Sequence, residues 1–430
     1  MLDQTTTTAA PVNADRLKAM MDGVTVFGAG SGGAMTRLTL SREDGAARDW
    51  LKAWFADHGF THKFDGMGNQ FGLLEAAGAG APTVMVGSHL DSQPNGGCFD
   101  GTLGVISACE AVVAVTEALK KRGSASRVNF TVVNWTNEEG ARFQPSLLGS
   151  SVFAGSAELD WALDRKDGAG ISVREALADI GYAGNDHVPI PDALIELHIE
   201  GAEALDREGR KFGAFTRYWG ATKYRLAFLG RQAHTGPTPM AERRDALLAG
   251  AYLIADLKAM AGDYGLDLHT SVGRLEVFPN SPNTVPAEAV LFIELRAAAP
   301  DILAEAEARM LADVDKAATR AGVGHEVRFI DRRIAGAFSP GLIRLADEVS
   351  LSLGETMRRL DTIGGHDAVA MSAACPAVVL AVRSRGGVIH HPTEFTSIED
   401  QAFGTQVIAD MLYRIATEGL DTVIGEEART

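Results

Sequence analysis

The sequence predicts an α/β protein whose mixed sheet is interrupted by a smaller, inserted α+β domain. Short apolar runs typical of buried strands alternate with helical patterns over residues 83–200. Between residues 218 and 331 the order becomes β-α-β-β-α-β, which indicates a ferredoxin-like two-layer domain. After residue 332 the helix-then-strand pattern returns. We therefore predict one α/β domain built from residues 1–217 and 332–430, with residues 218–331 inserted as a second domain.

Length and composition limit the class of protein and the kinds of partner that it can have. The chain has 430 residues, too many for one ordinary core, and 46% of them are hydrophobic, as in a soluble globular protein. Its formal net charge of −16 argues against nucleic acid and anionic membrane surfaces as partners. The three cysteines, Cys98, Cys109 and Cys375, are too few for a disulfide framework and favour a reducing cytosol.

The first residues and the apolar runs bear on localisation. Residues 1–10 are rich in threonine and lack the charged-then-apolar pattern of a signal peptide, and we expect this stretch to be disordered. No apolar run approaches the length of a membrane span. Together these observations predict a cytoplasmic protein without a membrane partner.

The most informative stretch of sequence joins a strand to a helix. Residues 83–88 form a short apolar, β-branched run that predicts a buried strand, and the run ends at His89, two residues before Asp91. Turn residues follow up to Asp100, which opens an apolar helical pattern. Because open α/β sheets place their ligand sites at the carboxyl ends of strands, these polar residues are candidates for a functional site.

Other predicted strands end in the same residue types. The strand over residues 128–135 precedes Glu138 and Glu139, and the strand over residues 193–200 contains His198. Carboxylate and imidazole groups together ligate ions such as Zn²⁺ and Mn²⁺, and one carboxylate can bridge two ions roughly 3.5–4 Å apart. Each motif alone is more often a loop hydrogen bond or a solvated helix start. Their convergence on strand ends favours a metal centre.

The remaining elements are assigned from hydrophobic periodicity and turn chemistry. Ser41, with acidic residues in the following turn, is the expected cap of a helix. We predict helices over residues 13–23, 41–58, 105–119, 172–181, 242–260, 301–321, 340–354 and 398–418. We predict a strand, turn and strand over residues 64–72 and further strands over residues 222–229, 271–278, 289–296, 325–330 and 377–382. Residues 143–155 are expected to form a loop and residues 206–212 a connector.

Eight motifs, spread over nearly the whole chain, resemble the metal-dependent amidase branch of the M20 peptidase family. This branch holds N-carbamoyl-L-amino acid hydrolases, β-ureidopropionases and allantoate amidohydrolases. The motifs are Gly87-Ser88-His89-Leu90-Asp91-Ser92, Asn95-Gly96-Gly97-Cys98-Phe99-Asp100-Gly101, Asn137-Glu138-Glu139-Gly140-Ala141-Arg142-Phe143, Glu196-Leu197-His198-Ile199-Glu200, His234-Thr235-Gly236-Pro237-Thr238-Pro239-Met240, Pro279-Asn280-Ser281-Pro282-Asn283-Thr284-Val285-Pro286, Gly365-His366-Asp367-Ala368 and Ser384-Arg385-Gly386-Gly387-Val388-Ile389-His390.

The resemblance implies a binuclear metal site in the α/β domain, with two divalent ions per subunit (Zn²⁺, or Mn²⁺, Co²⁺ or Ni²⁺). By carry-over from the family, Asp100 bridges the two ions. His89 and His198 complete one metal site, and Glu139 and His390 complete the other. Together these residues make the α/β domain the expected catalytic domain.

The resemblance also implies roles for groups around the metal ions. Glu138 is the expected general base, since a carboxylate beside two cations can take a proton from water and pass it to the leaving nitrogen. Asp91, His366 and Asp367 are expected to orient the ligands through hydrogen bonds.

Substrate contacts and a homodimer follow from the same resemblance. His234, Asn283, Arg296 and Gly365 match the family's substrate-binding positions. Arg296 is suited to a substrate carboxylate, because a guanidinium binds a carboxylate through two parallel hydrogen bonds; the alternative is a surface salt bridge. The inserted domain is expected to form the dimer and to bring these groups to the neighbouring subunit's active site.

Three positions leave alternatives open. The family pattern makes His390 the ligand, with His391 as a histidine on the rim of the site. Gly201 replaces a family Gln that is expected to hydrogen-bond the ureido end of the substrate. Cys98 could ligate a soft metal or could be a buried bystander.

These observations predict a hydrolase acting on carbon–nitrogen bonds other than peptide bonds. It would cleave the carbamoyl or ureido bond of a small carboxylate, such as an N-carbamoyl amino acid, and release ammonia and CO₂. The alternatives are an allantoate or ureidoglycolate amidohydrolase, an N-acyl-amino-acid deacylase or aminopeptidase of the same fold, and a binding protein without catalysis. A complete set of expected ligands together with Glu138 argues against the last of these.

Overall fold

The computed structural model describes residues 8–425, which divide into two compact units. The first unit runs to Thr216 and continues over Phe338–Leu360 and from Gly364 onward. The second unit contains Arg217–Ala337 and Asp361–Ile363. It extends past residue 331, the predicted end of the inserted domain, because the short strand Gly336–Ala337 pairs with Arg217 and Tyr218.

The helices and strands follow one another closely along the chain. Within residues 8–425 the α-helices are α1 (Ala14–Val24), α2 (Arg42–Asp57), α3 (Thr102–Arg122), α4 (Leu148–Phe153), α5 (Leu159–Leu163), α6 (Val173–Asp179), α7 (Ala204–Glu208), α8 (Ala246–Tyr264), α9 (Pro300–Ala321), α10 (Pro340–Ser352), α11 (Asp367–Met371), α12 (Ile398–Glu418) and α13 (Leu420–Ile424). The strands are β1 (Thr61–Phe64), β2 (Gln70–Leu74), β3 (Thr83–His89), β4 (Asn129–Trp135), β5 (Ala193–Ile199), β6 (Phe212–Tyr218), β7 (Gly220–Leu229), β8 (Ala233–His234), β9 (Leu268–Phe278), β10 (Thr284–Val285), β11 (Glu288–Ala297), β12 (Gly324–Arg333), β13 (Gly336–Ala337), β14 (Arg358–Thr362) and β15 (Ala377–Val382).

The first unit is built on a mixed sheet with the strand order β1-β2-β4-β3-β5-β15-β6. Strands β4, β3, β5 and β15 are parallel to their neighbours in this central part, whereas β1, β2 and β6 pair antiparallel. The carboxyl ends of the parallel strands therefore meet at one edge of the sheet. This edge carries the chain segments that follow β3, β4, β5 and β15, as expected for a ligand site in an α/β sheet.

Helix α3 is largely buried. Its length and apolar composition are sufficient for a membrane span, so the expectation that no such run exists was wrong. Most of its residues are buried because the helix packs against β3 and α12. Three basic residues in the last turn and Gly123 at the carboxyl end then terminate the helix.

The second unit has an antiparallel four-stranded sheet, ordered β12-β7-β11-β9, with helices α8 and α9. The chain passes through its main elements in the predicted order β-α-β-β-α-β. Apolar side chains from the strands and both helices form its core, including Phe228, Leu253, Leu291, Met310 and Val314. The apolar faces that the helical and alternating strand patterns predict therefore pack together as one hydrophobic core between the helices and the sheet.

Several short elements differ from the sequence expectations. The loop expected over residues 143–155 contains α4, and the connector expected over residues 206–212 overlaps α7. The strand β6 was not predicted. Residues 1–7 lie outside the described part of the chain, but the expected disorder was wrong for Ala10, which is buried and whose backbone N–H donates to Asp410. Because Asp410 lies 400 positions away, the residues around Ala10 do not predict this contact.

Candidate metal centre

Strand β3 delivers His89 to the carboxyl edge of the sheet in a defined orientation. Its Nδ1 lies 2.9 Å from the carbonyl oxygen of Asp91, and a carbonyl can only accept, so Nδ1 carries the proton. Nε2 is consequently an acceptor. It is buried without a hydrogen-bond partner and lies 3.8 Å from Asp100 Oδ1 and 3.6 Å from Glu138 Oε2.

Gly101 explains how Asp100 comes so close to this histidine. Its φ of +63° lies in the left-handed region, and a Cβ built on it would lie 2.3 Å from Cε1 of the His89 ring. Only glycine fits both the backbone conformation and the space. Gly101 therefore has two roles. It precedes the first turn of α3, and it lets Asp100 lie beside His89.

Asp100 is shared by two groups of possible metal ligands. Its Oδ1 lies 2.8 Å from His198 Nε2, and its Oδ2 lies 3.1 Å from His390 Nε2. We name the set His89, Asp100 and His198 the first donor group, and the set Asp100, Glu139 and His390 the second donor group. Within each group the ligand atoms lie within 4.8 Å of one another. The structure thus brings the five predicted ligands together around one carboxylate.

A tight turn after β4 positions the two glutamates. Asn137 has a φ of +60°, and its side-chain amide donates to the carbonyl oxygens of Phe143 and Pro145. The backbone N–H groups of Glu138 and Glu139 then both donate to the carboxylate of Asp91, each at 3.3 Å. Asp91 therefore orients His89 through its carbonyl group and the glutamates through its carboxylate.

Gln93 also orients Glu139, a role that the sequence analysis did not assign. Its backbone N–H donates to Glu139 Oε1 at 3.1 Å, and its side-chain amide donates to Oε2 at 2.9 Å. The sequence placed Gln93 only in a turn-rich segment, where a glutamine has no distinguishing signal.

His198 lies at the end of β5 and is held from several sides. Its Nδ1 lies 2.9 Å from the carbonyl oxygen of Ile199, which leaves Nε2 free to face Asp100. The ring of His366 packs edge-on against the His198 ring, with 4.5 Å between centroids, and stacks on Phe215. Asp367 accepts a hydrogen bond from Ser150 at 2.5 Å. The predicted pair His366 and Asp367 thus lies beside His198.

Buried negative charge dominates the electrostatics of the site. Burial raises the pKa of Glu138 well above its usual range, and the neighbouring carboxylates of Asp367 and Glu139 raise it further. Burial opposes ionisation of Asp100 too, but His198 holds the pKa of this carboxyl well below its usual value. Burial would lower the pKa of His390, yet its hydrogen bonds to Asp100 and Glu139 raise it to about 11. The buried carboxylates therefore favour positively charged groups or ions beside them.

His390 and His391 have different surroundings. His390 has a φ of +57°, and its Nε2 lies 3.2 Å from Glu139 Oε2 as well as near Asp100. The exposed His391 instead bonds Thr393 through Nδ1. The second donor group therefore contains His390 and does not include His391.

The other predicted residues lie outside the two donor groups. Arg296 is half-buried on β11 of the second unit, where its guanidinium pairs with Glu294 at 2.8 Å. His234 on β8 is exposed, as is Asn283, which directly precedes β10, the strand that pairs with β8. The Asn283 carbonyl oxygen accepts from the backbone N–H of Thr235. Gly365 belongs to the first unit and directly precedes His366.

The structure also shows the surroundings of Gly201 and Cys98, the two positions at which the sequence leaves a departure or an alternative open. Gly201 is exposed in the segment after β5, and a Cβ there would lie 3.3 Å from Cγ2 of Ile389. Cys98 is partly buried and belongs to neither donor group. Burial, with the nearby Glu394 carboxylate, raises the pKa of the Cys98 thiol to about 11, which disfavours the thiolate that a metal would need.

The donor set fits divalent cations on three grounds. His89 and His198 both donate Nδ1–H to carbonyl oxygens and so direct Nε2 towards their donor group, the orientation found in metal-bound histidines. His89 Nε2 is buried without a partner. The carboxylates of Asp100 and Glu139 supply the hard oxygen ligands and the compensating charge that such cations need.

Comparisons with known proteins show the family to which the chain belongs. The family model described as Peptidase family M20/M25/M40 matches residues 85–414. An N-carbamoyl-L-amino-acid amidohydrolase of Rhizobium meliloti is 34% identical over 96% of this chain and 98% of its own length. An allantoate amidohydrolase of Bacillus subtilis is 29% identical over 91% of this chain and 95% of its own length.

A solved structure resembles the whole fold. The crystal structure of an amidase of the hydantoinase/carbamoylase family from Burkholderia vietnamiensis matches with a TM-score of 0.91 at 32% identity, over 97% of this chain and 100% of that one. The match therefore extends well beyond the motifs around the donor groups. The chain belongs to peptidase family M20/M25/M40, and it is a hydrolase that acts on carbon–nitrogen bonds other than peptide bonds.

Proposed function

We propose that the protein is a binuclear metal-dependent amidohydrolase that cleaves the carbamoyl or ureido carbon–nitrogen bond of a small carboxylate. An N-carbamoyl amino acid is the substrate class that we favour, with ammonia and CO₂ as further products. The observation that carries the proposal is the Asp100 carboxylate, whose two oxygens face different donor groups. The relative from Rhizobium meliloti, an N-carbamoyl-L-amino-acid amidohydrolase, supports the choice of substrate.

In this proposal each donor group holds one divalent ion, Zn²⁺ or alternatively Mn²⁺, Co²⁺ or Ni²⁺. Asp100 contributes to both ions, His89 and His198 to the first, and Glu139 and His390 to the second. When bound, the two cations supply Lewis acidity, which lowers the pKa of water and polarises the carbonyl group of a substrate. The chain's own contribution is to hold these side chains before the metal arrives, through Asp91 and Gln93.

Glu138 is the proposed general base. It is buried, and its Oε2 lies 3.6 Å from the unpartnered Nε2 of His89, beside the first donor group. A carboxylate at this position takes a proton from the attacking water and passes it to the leaving nitrogen. The hydrogen bond from its backbone N–H to Asp91 keeps the side chain at that position.

The carboxylate end of the substrate is assigned to the inserted domain. Arg296 is the proposed partner of the carboxylate, assisted by His234 and Asn283 of the same domain. Gly365, which belongs to the first unit, is a further proposed substrate-binding residue. A guanidinium offers two parallel hydrogen bonds to a carboxylate, and Glu294 already holds the Arg296 side chain in place.

We also propose a homodimer formed through the inserted domain, in which Arg296 acts on the partner subunit's substrate. Two features of the second unit support this. Strand β9 lies at an edge of its sheet, with Phe278 exposed. Leu248 and Ile254 on α8 are also exposed, so this unit has apolar surface that a second copy could cover.

Two other substrate classes remain candidates on specific observations. An allantoate or ureidoglycolate type of substrate is supported by the allantoate amidohydrolase relative. An N-acyl amino acid is supported by Gly201, since no side chain occupies the position next to Ile389. Both reactions would use the same donor groups and the same base.

A cytoplasmic location is part of the proposal. The three cysteines, all of which lie within residues 8–425, are free thiols, and two of them are buried. Free thiols persist in a reducing compartment.

The test of the function combines metal analysis with a substrate panel. We expect two divalent ions per subunit and ammonia release from N-carbamoyl amino acids, assayed beside allantoate, ureidoglycolate and N-acyl amino acids. Glu138→Gln should keep the metal and lower kcat by about 10²–10⁴-fold, the usual contribution of general acid–base catalysis. The matched control is Glu158→Gln, because Glu158 is exposed and outside both donor groups.

Two results would count against this function. A near-normal kcat in Glu138→Gln would remove the base assignment. A wild-type protein that binds no metal, or that hydrolyses none of the panel, would contradict the proposed chemistry itself.

A further inference from the structure

A buried carboxylate outside the donor groups joins the two segments that carry Asp100 and His390. Glu394 is 5% exposed. Its Oε1 accepts the backbone N–H groups of Phe99 and Asp100, at 2.8 and 3.0 Å, and its Oε2 accepts the backbone N–H of His390 at 3.3 Å. One side chain thus holds together two segments that are 294 positions apart in sequence.

The chain around Glu394 is shaped to let this carboxylate in. A Cβ on Gly97 would lie 2.3 Å from the carboxyl carbon of Glu394, so a side chain at residue 97 would displace it. The backbone of Glu394 also donates to the carbonyl oxygen of His391, which closes the turn that contains Pro392. The carboxylate therefore occupies a fitted space between the two segments.

His390 is the donor that most needs such support. Its side chain is 47% exposed, compared with 6% for Asp100 and 5% for Glu139. Its backbone has a φ of +57°, which lies in the left-handed region that is unfavourable for a residue with a side chain. Neither packing nor intrinsic preference alone would keep the imidazole beside Glu139.

We propose that Glu394 is a positioning residue that preorganises the second donor group for metal. It acts through the backbone of its neighbours: it holds Asp100 and His390 at the separation at which their side chains face one ion. The first donor group depends on it less, because His89 and His198 have their own Nδ1–H bonds to carbonyl oxygens. This inference rests on the proposed function, since it presumes that both donor groups bind metal.

The test measures metal affinity in variants of the full-length protein. Metal-free protein is titrated with Zn²⁺ in the presence of a competing chelator, so that both binding steps are resolved. Glu394→Ala removes the acceptor for three N–H groups, and we expect it to weaken one of the two steps by about 10- to 100-fold, as is usual for residues that orient ligands. The other step should keep its wild-type affinity.

Two further variants separate positioning from folding. Glu394→Gln keeps one oxygen for Phe99 and Asp100 but turns an NH₂ group towards His390, so its affinity should fall between those of wild type and Glu394→Ala. Glu399→Ala is the matched control, because Glu399 is exposed five residues further on. Thermal unfolding of the metal-free variants, and the visible absorption spectrum at saturating Co²⁺, report folding and ligand geometry independently of activity.

The outcomes are distinct. Selective weakening of one step, with a changed Co²⁺ spectrum and partial rescue by Glu394→Gln, supports the inference. Unchanged affinities in Glu394→Ala, or equal weakening of both steps, overturn it. If the wild-type protein does not bind two ions, the proposed function fails first, and this inference fails with it.

Discussion

At the scale of single residues, the candidate site depends on close approaches that glycine permits. Gly101 lets the His89 ring lie against the start of α3, and Gly201 leaves the Ile389 side chain without a neighbour at that point. The two glycines differ in backbone conformation. Gly101 has a positive φ, whereas the contact at Gly201 is a matter of space alone. Substitutions at these positions should therefore have different effects.

Gly101→Ala should disrupt metal binding. The new methyl group would push the His89 ring away from Asp100, in addition to a backbone cost of about 1–2 kcal/mol for a left-handed alanine. Gly123→Ala is the matched control, since Gly123 has a φ of +64° and a Cβ added there would meet no atom within 4 Å. Metal content after dialysis should fall only in Gly101→Ala, whereas both variants should lose thermal stability. Equal metal content in the two variants would contradict this role of Gly101.

Gly201→Gln should narrow the range of substrates. The added amide would lie beside Ile389 and could hydrogen-bond a ureido group, which favours N-carbamoyl over other acyl groups by about 1–3 kcal/mol. The measurement compares kcat/KM for N-carbamoyl, N-formyl and larger N-acyl forms of one amino acid. Ala202→Gln, at the adjacent exposed position, should leave the ranking unchanged. If wild type accepts only the carbamoyl group and Gly201→Gln does not alter the ranking, residue 201 does not contact the substrate.

At the scale of secondary structure, the β1–β2 pair carries a histidine away from the metal centre. His62 on β1 accepts a hydrogen bond at Nε2 from the side-chain amide of Gln70 on β2, at 3.2 Å, and packs near Phe55 and Phe64. The amide can donate only to an unprotonated nitrogen. Burial, together with the charge of Lys52, lowers the pKa of His62 to about 4.

This lowered pKa predicts acid sensitivity of the fold. The unfolded chain binds a proton at His62 below about pH 6.5, whereas the folded chain resists protonation down to about pH 4. The stabilisation is therefore present above pH 6.5 and is lost as the pH falls towards 4. Between pH 7 and pH 5, His62→Gln should lose less stability than wild type, by on the order of 1 kcal/mol because His62 is only partly buried.

Urea unfolding at the two pH values measures this difference. The exposed His187 provides the control, and His187→Gln should reproduce the wild-type change. The same loss of stability in wild type and His62→Gln would exclude His62 as the source of the acid sensitivity.

At the scale of the whole molecule, the proposed dimer can be tested by complementation. Arg296→Ala lacks the proposed carboxylate partner, and Glu138→Gln lacks the proposed base, so neither homodimer should be active. In the mixed dimer one of the two sites has both groups, and activity should return to that site. Activity measured on a purified, differently tagged heterodimer checks this expectation.

The control is Arg309→Ala, because Arg309 is a partly exposed arginine on α9 that pairs with Asp263 and should be dispensable. A verified heterodimer without activity would mean that each subunit uses its own Arg296. A wild-type protein that remains a monomer in solution would contradict the assembly.

Much of the fold and of the donor set was predictable because the signals are local. Strand β3 is an apolar β-branched run, and the polar residues at its end follow within a few positions. The inserted domain was predictable because helical and strand periods alternate in order over residues 222–330. Strand β6 was missed because Phe212–Tyr218 has no clear alternation, and its place is determined by pairing with β15.

Sequence by itself determined which residue types stand at the strand ends and in the segments that follow them, and so the proposed chemistry of the site: two carboxylates and three histidines as candidate metal ligands, with Glu138 as the candidate base. Only the tertiary structure decided how they converge. Asp100 offers one oxygen to each donor group, and Glu394 accepts from the backbone of Phe99, which lies 295 positions away in sequence. The physical reason is that such contacts depend on the packing of segments distant in sequence, whereas hydrophobic period, caps and turns act over a few residues only.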